Sequence, residues 1–541
     1  MWLRMPPTAL QHWREAHLVY SRRCYTTSCH HRRSYSTTSQ DAAPTPTELQ
    51  GRFKNLEINR ILILEKVTKY DLERRNGLSD ADIRDRFPRM FCSMQCYIPA
   101  VAYRTHRTHT KIMDAIRHHL RDTYQIDYKV IKAQSHNLTL DDLERSNFPP
   151  DLIISAGGDG TFLEAAALVP PSNNTKRHLF VVGINTDPER SVGALCLSYF
   201  RRGNSMSHFL DKNQPGCTQS ILDMPKQNMI RFTETGSLMR KECTSDTTGE
   251  KEWADISSAT FCGTQQGIPD KPEGHCTVIS KRTANIYNLT YDEYVGTLLE
   301  RLLVKRDYKP IARQRIRIKM FKRGDCGPSC IEHSKVDAAG IEDTLFSGSD
   351  STFSNEELGH PCGQPSGILP YGAVNDVIIA DESFGRTFYG LVQVDSSSIM
   401  RFKSSGVLIS TGTGSTAWAY NMCKMSMNHG MRLLESLLTH PSFPREAAGK
   451  VDAQMMREVV EAHNAKLVFG ASQNTLKCII REAIYDASTV DASTFMGKQV
   501  KILSLSKNAR MFVDGSKVVN LDYGDVVVLK TFNSDTIWSC I

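Results

Sequence analysis

No stretch of this 541-residue sequence approaches the ~20 consecutive apolar residues that a membrane-spanning helix needs, so no membrane association is expected. The fifteen cysteines contain no Cys-x-x-Cys; the closest pairs, Cys92/Cys96 and Cys326/Cys330, lack the spacing of a zinc site. Reduced, mostly buried thiols are the expectation. The histidine pairs His106/His109 and His118/His119 have no third and fourth ligand close by, so they read as solvated surface groups and no metal site is assigned. A basic body is missing as well. Six arginines against Glu15 give residues 1–40 a charge of +5, which leaves +2 of the total +7 for the other 501 residues. A body so close to neutral argues against a nucleic-acid partner.

Residues 1–40 also lack lysine and any uninterrupted apolar stretch, which excludes a secretory signal. They are rich in Arg, Ser and Thr, with Trp2, Leu3, Leu10 and Trp13 as an apolar complement. This is the composition of a cleavable mitochondrial transit segment, and Arg33-Ser34-Tyr35-Ser36 resembles the cleavage sites of matrix presequences. The expected location is the mitochondrial matrix.

What remains has the 40% hydrophobic and 23% charged composition of an ordinary soluble chain, long enough for two or more domains. Short apolar runs at Ile61–Leu64, Tyr128–Ile131, Leu152–Ile154 and Leu179–Val182 read as strands. Between the first two, Ile112, Ala115, Ile116 and Leu120 share one helical face. Strands alternating with helices predict an α/β domain with a largely parallel sheet over residues 55–198. Residues 200–287 are polar and weakly periodic, and read as a flexible insertion; 323–368 look similar. Around that second insertion the pattern turns to β, with Val377–Ala380, Phe388–Val394, Val407–Ser410, Met511–Val513 and Val526–Leu529 as strands and residues 451–464 as a helix. A β-rich domain is predicted over 300–541. In it, Ile316, Ile318 and Met320 alternate with Arg315, Arg317 and Lys319, a half-buried strand whose basic face is expected to be solvated.

The most informative segment is Leu152-Ile153-Ile154-Ser155-Ala156-Gly157-Gly158-Asp159-Gly160-Thr161-Phe162-Leu163. A strand enters a glycine turn and leaves as a helix. Glycines let the backbone approach a ligand, and free N–H groups at the helix start favour phosphate. The segment is neither Gly-x-Gly-x-x-Gly nor a Walker loop, since no Gly-Lys-Ser/Thr follows. An aspartate inside a phosphate-binding turn opposes the anion, so it needs its own reason. Asp159 can accept a proton from an attacking hydroxyl, hold Mg²⁺, or simply cap the helix.

This segment resembles the signature of a kinase superfamily that includes NAD kinases, diacylglycerol and sphingosine kinases and, more distantly, phosphofructokinases. Further segments resemble the NAD kinase family, in its mitochondrial animal branch. They are the turn Gly183-Ile184-Asn185-Thr186-Asp187-Pro188-Glu189-Arg190-Ser191, the pair Asn375-Asp376, and the loop Thr411-Gly412-Thr413-Gly414-Ser415-Thr416-Ala417-Trp418. Arg313-Gln314-Arg315-Ile316-Arg317 and Asp514-Gly515 also look like family positions. Asp376 stands where Glu is usual, Trp418 where Tyr is usual, Gly412 where Pro is frequent and Ser405-Gly406 where many members have Asp-Gly.

The resemblance implies an NAD kinase/diacylglycerol kinase-like fold and transfer of phosphate from ATP, carried with Mg²⁺, to the 2′-hydroxyl of the adenosine ribose of NAD. It makes Asp159 the catalytic base. It gives Gly157, Gly158, Gly160, Thr161, Asn185, Asn375, Asp376, Thr411, Ser415, Thr416, Ala417 and Trp418 to nucleotide and substrate binding, in a homodimer.

Overall fold

Strands β1 (Arg60–Glu65), β3 (Leu152–Gly157) and β4 (Phe180–Asn185) are nearly unbroken apolar runs, the pattern of strands covered on both faces. Together with the half-buried edge strand β2 (Asp127–Lys132) they form a parallel array in the order β2-β1-β3-β4. The computed structural model containing it describes residues 44–85, 98–133, 148–170, 179–200, 229–232, 286–322, 367–442, 452–484 and 493–541. The predicted transit segment, and both insertions apart from the strand residues given below, lie outside the described residues.

Several helices on this sheet start where a local side chain satisfies one of the first free N–H groups. The helices are α1 (Pro46–Lys54), α2 (Lys69–Arg75), α3 (Asp80–Asp85), α4 (Ile98–His118), α5 (Asp159–Ala167) and α6 (Tyr291–Leu299). Thr68 and Asp71 form a reciprocal capping box on α2, as Thr290 and Glu293 do on α6. Alternate strand residues then face opposite layers. Ile61, Ile63, Leu152, Ile154, Val182 and Ile184 pack with Ile112 and Ile116 of α4 and Val295 and Leu298 of α6. Leu62, Leu64, Ile153 and Val181 pack on the other side with Phe162, Leu163, Ala165 and Ala166 of α5. Each such fully buried Ile or Leu contributes roughly 1.5–3 kcal/mol.

Two short strands, β5 (Met229–Phe232) and β6 (Ile286–Leu289), pair in parallel, so this part of the predicted insertion is ordered. After β7 (Pro310–Arg313) come β8 (Ile316–Phe321), β9 (Gly367–Ile368), β10 (Asp376–Asp381), β11 (Phe388–Val394), β12 (Met400–Ser404) and β13 (Gly406–Ser410). Helices α7 (Trp418–Cys423), α8 (Met427–Thr439) and α9 (Ala453–Ala465) follow. Then come β14 (Leu476–Arg481), β15 (Thr494–Gly497), β16 (Gln499–Ser504), β17 (Ala509–Val513), β18 (Lys517–Leu521) and β19 (Val526–Thr531). They form two antiparallel sheets, β15-β14-β13-β10-β17-β18 and β12-β11-β16-β19-β8-β9. Side chains of both sheets, among them Ile318, Val377, Val392, Ile409, Ile502 and Val527, meet in one core.

The expected architecture of an α/β region plus a β-rich region is therefore present. Its boundary is crossed twice. β7 and the last strand, β20 (Ile537–Cys540), fall inside the predicted β-rich domain yet complete the first sheet, with β20 between β4 and β7.

Candidate active site

In an open α/β sheet, ligands bind beyond the carboxyl ends of the strands, where the strand order reverses. Here that point lies between β1 and β3, and the Lys66 N–H donates to the Ala156 carbonyl across it. Gly157 ends β3, Gly158 is the N-cap of α5, and Asp159 opens the helix. A side chain at Gly157 would put its Cβ 2.2 Å from Thr161 Oγ1, so the close approach requires glycine. The buried Thr161 donates its N–H to Gly158 O at 3.0 Å and is thus used within the turn. The N–H groups of Asp159 and the exposed Gly160 have no partner inside the helix, as at any helix start.

Asp159 does not cap its own helix with its side chain. Its carboxylate accepts from the backbone N–H of Leu195 at 2.8 Å and of Ala194 at 3.2 Å. Those donors are held in place by Asn185. Its Oδ1 accepts from Asp187 N at 3.0 Å and Ser191 Oγ at 3.2 Å, and its Nδ2 donates to Ser191 O at 2.8 Å. The amide is occupied in folding the turn that delivers residues 194 and 195 to Asp159.

The second group of predicted residues surrounds the entry to β10. Asp514 closes the hairpin between β17 and β18 with φ +46°, in the left-handed region that Asp tolerates better than most. Its carboxylate accepts from Val374 N at 2.8 Å, Asn375 N at 2.8 Å and Asp376 N at 3.1 Å. Asp376 is 7% exposed, and burial together with Asp514 pushes its carboxyl up to about 7. Asp514 is pushed up to about 6 by burial, against the pull of the three N–H groups and Arg315. The two acids sense each other and titrate as a pair.

The Thr411–Trp418 loop folds over this turn. A Cβ on Gly414 would lie 2.1 Å from Asn375 O, so glycine is the residue that lets the two backbones touch. Thr411 Oγ1 donates to Val374 O, Ser415 Oγ to Gly412 O at 2.7 Å and Thr416 Oγ1 to Thr413 O at 3.0 Å. These hydroxyls fasten the loop. In this turn and loop the buried side-chain atoms left without a hydrogen-bond partner are Asn375 Oδ1 and Thr413 Oγ1, the latter from a residue the sequence did not single out. Ala417 leads into α7, where Trp418 stands 42% exposed.

Val374 packs in the same cluster as Phe162 and Leu163, so the two groups share one apolar floor. Arg315 joins them. It donates to Pro170 O at 3.1 Å and to Val169 O, just past the end of the Asp159 helix, and its stem lies against Gly372. The basic face expected to be solvated is buried instead. Arg315, Arg317 and Lys319 are at most 4% exposed. Arg317 forms a two-pronged pair with Asp535 at 2.5 and 2.6 Å and lies over Phe532, from a segment over 200 residues later. The histidines also depart from expectation. His109 is 1% exposed beside Glu65, His119 is largely buried beside Asp292, and His106 bonds Thr68; His118 alone of the four is mostly solvated.

No family model matches the chain. Among curated proteins, it is 24% identical over 513 residues to the mitochondrial NAD kinase 2 of Xenopus tropicalis, covering 90% of this chain and 92% of that protein. The Homo sapiens protein of the same name is 22% identical over 489 residues, covering 88% and 83%. Among solved structures, yeast NADH kinase complexed with NADH aligns over 90% of this chain and 84% of that one, with TM-score 0.40 and 10% identity. The resemblance to NAD kinases carried by the motifs thus extends along nine tenths of the sequence.

Proposed function

We propose that the chain is an NAD kinase that phosphorylates the 2′-hydroxyl of the adenosine ribose of NAD with ATP, in the mitochondrial matrix and as a homodimer. The carrying observation is the setting of Asp159. An acid stands in the glycine turn at the strand-order reversal, with both carboxylate oxygens fixed by backbone N–H groups. Each oxygen retains acceptor capacity for a hydroxyl proton. The matrix location rests on the composition of residues 1–40 and on the names of the relatives. The homodimer rests on the family resemblance alone.

In the step, the 2′-oxygen bonds to the γ-phosphorus, the bond to the bridging oxygen of ADP breaks, and the hydroxyl proton passes to Asp159. Mg²⁺ enters as part of the ATP substrate and offsets phosphate charge. Among the described residues no group of three His, Cys, Asp or Glu is placed to hold a metal. The N–H groups of Gly158, Asp159 and Gly160 face the phosphates. Asn375 and Asp376 hold the ribose hydroxyls, which supply the donor that Asn375 Oδ1 lacks. Trp418 offers an exposed aromatic face for a base. Positioning and charge stabilisation carry most of such a transfer.

The deciding measurement incubates the full chain with ATP, Mg²⁺ and NAD and scores NADP with an NADP-specific dehydrogenase. Turnover of NAD is expected. Labelling of diacylglycerol or sphingosine with silence toward NAD would assign a lipid kinase, and NAD binding without NADP would assign a regulator.

A further inference from the structure

Glu189 stands in the turn after β4, and the proposed reaction gives it no task. Its side chain is 12% exposed, and its two carboxylate oxygens serve different elements. Oε1 accepts from the backbone N–H of Phe232 at 2.9 Å, and Oε2 pairs with Arg104 Nη2 of α4 at 3.2 Å. Phe232 ends β5, inside the stretch that reads from sequence as a flexible insertion. The strand is therefore fastened to the turn from which Asp159 draws its two N–H donors.

The strand is itself well seated. It pairs with β6, and Ile230 and Leu289 are buried in the core that α4 and α6 share with the parallel sheet. The Phe232 ring stacks on Tyr291, 4.2 Å between centroids, and meets Tyr294 edge-on at 5.6 Å. Tyr294 is 2% exposed and donates its hydroxyl to Asn185 O at 3.0 Å. The start of the turn is thus held by α6 and its outer bend, through Glu189, by β5. Between them Ser191 N donates to Asp187 O at 2.9 Å, and the Asn185 amide ties Asp187 to Ser191. Gly193 then bends with φ +61° so close to Asn185 that a Cβ would lie 2.8 Å from Nδ2, and Ala194 and Leu195 reach Asp159. Each link from Phe232 to the Asp159 carboxylate is a hydrogen bond or a short piece of backbone closed by one.

We infer that Glu189 is a positioning residue for Asp159, and that β5 of the insertion braces the catalytic turn. Glu189 touches no substrate in this scheme. By fixing the outer bend, it keeps the N–H groups of residues 194 and 195 where they aim the carboxylate. The Arg104 side chain is 53% exposed, and an ion pair so open to water contributes little, so the bond to Phe232 is the working half. The inference rests on Asp159 being the base of the proposed reaction.

The test uses the full chain with Glu189→Ala, Glu189→Gln and Arg104→Ala. NADP formation gives kcat and the KM for ATP and for NAD, and thermal unfolding is measured without nucleotide. Misplacing a reacting group by about 1 Å can cost roughly a hundredfold in rate, and a loosened turn falls short of that. In Glu189→Ala kcat drops by about tenfold, while both KM values stay within about twofold. Glu189→Gln keeps an oxygen for the Phe232 N–H and recovers kcat to within about threefold of the parent. Arg104→Ala leaves kcat within about twofold. All three chains stay folded at the assay temperature.

Five results would overturn the inference. A parental kcat in Glu189→Ala denies the brace. A raised KM with unchanged kcat assigns a substrate contact. Glu189→Gln no better than Glu189→Ala makes the charge, not the bond to β5, the working feature. A loss in Arg104→Ala as large as in Glu189→Ala moves the anchor to α4 and away from the insertion. Failure of Glu189→Ala to fold assigns a purely structural role. Asp159→Asn separates the two levels. If it stays active, the reading of the base fails. If it is silent while Glu189→Ala keeps the parental kcat, only the role of Glu189 fails.

Discussion

In the α/β region, Asp159 is half-exposed at the start of a helix, and its carboxylate is gripped by two backbone N–H groups from a neighbouring turn. In the β-rich region, Asp376 and Asp514 are buried side by side, and Asp514 alone receives three N–H bonds. The same side chain serves two purposes. One environment leaves a carboxylate half-exposed, as the proposed base requires. The other makes a carboxylate into a backbone clamp and raises its partner toward neutrality. Substitutions at the two places should therefore damage different quantities.

The largest effect belongs to Asp159→Asn. The amide keeps the shape but must turn its nitrogen toward one of the two N–H donors of residues 194 and 195. A modest loss of stability is therefore expected at this half-exposed site, with the chain still folded and the KM for NAD little changed. The rate should fall by at least roughly two orders of magnitude, the usual worth of a general base. Near-normal kcat in a folded variant would remove the distinction between the two acids.

Asp514→Asn comes second and should act in the opposite sense. Its amide nitrogen must face at least one of the N–H donors now bound by the carboxylate. Leaving a buried donor unsatisfied costs roughly 1–3 kcal/mol. A drop in thermal stability of that size is expected, with a raised KM for NAD and a kcat reduced less than tenfold. Loss of kcat alone would mean that Asp514 does not clamp the Asn375-Asp376 turn.

The two regions also differ in how far the sequence exposes them. Ile61–Leu64, Leu152–Ile154 and the glycine turn are legible because an apolar run followed by Gly-Gly-Asp-Gly-Thr constrains structure locally. Even the helix placed at 451–464 is found at Ala453–Ala465. Long-range pairing is what escapes. β20, with only Ile537-Trp538-Ser539-Cys540, shows no usable period, and nothing local says that it inserts between β4 and β7. The alternation of Arg315, Arg317 and Lys319 with apolar residues is the same for a solvated face and for one covered by Phe532 and Asp535. Its cover comes from far along the chain, so the burial of these cations is settled by tertiary contacts. Asn185 and Asp514 illustrate the limit within the site. Their residue types were readable, but whether each amide or carboxylate faces a ligand or its own backbone depends on a turn closed by distant residues.

The smallest expected effect, and the most specific to the acid pair, is the pH dependence of stability at Asp376. Its carboxyl rises from an ordinary 3.8 to about 7 in the folded chain, through burial and the nearby Asp514. A folded state with the higher pKa binds the proton more tightly than the unfolded state. The associated stabilisation is therefore complete below about pH 4 and is lost as the pH climbs through 7. A tenfold gain in proton affinity corresponds to about 1.4 kcal/mol, but the proton is shared with Asp514, so about 2 kcal/mol between pH 5 and pH 8 is expected. Asp376→Asn does not titrate and should lack this decline. Denaturant unfolding of parent and variant at both pH values isolates the contribution of the Asp376–Asp514 pair, because groups that do not sense Asp376 cancel. Parallel curves would show that Asp376 is as readily ionised as a surface acid, and the contrast between a buried acid pair and the half-exposed carboxylate proposed as the base would then disappear. A decline steeper in the variant than in the parent would reverse the sign, meaning that Asp376 gives up its proton more readily in the folded chain than in the unfolded one.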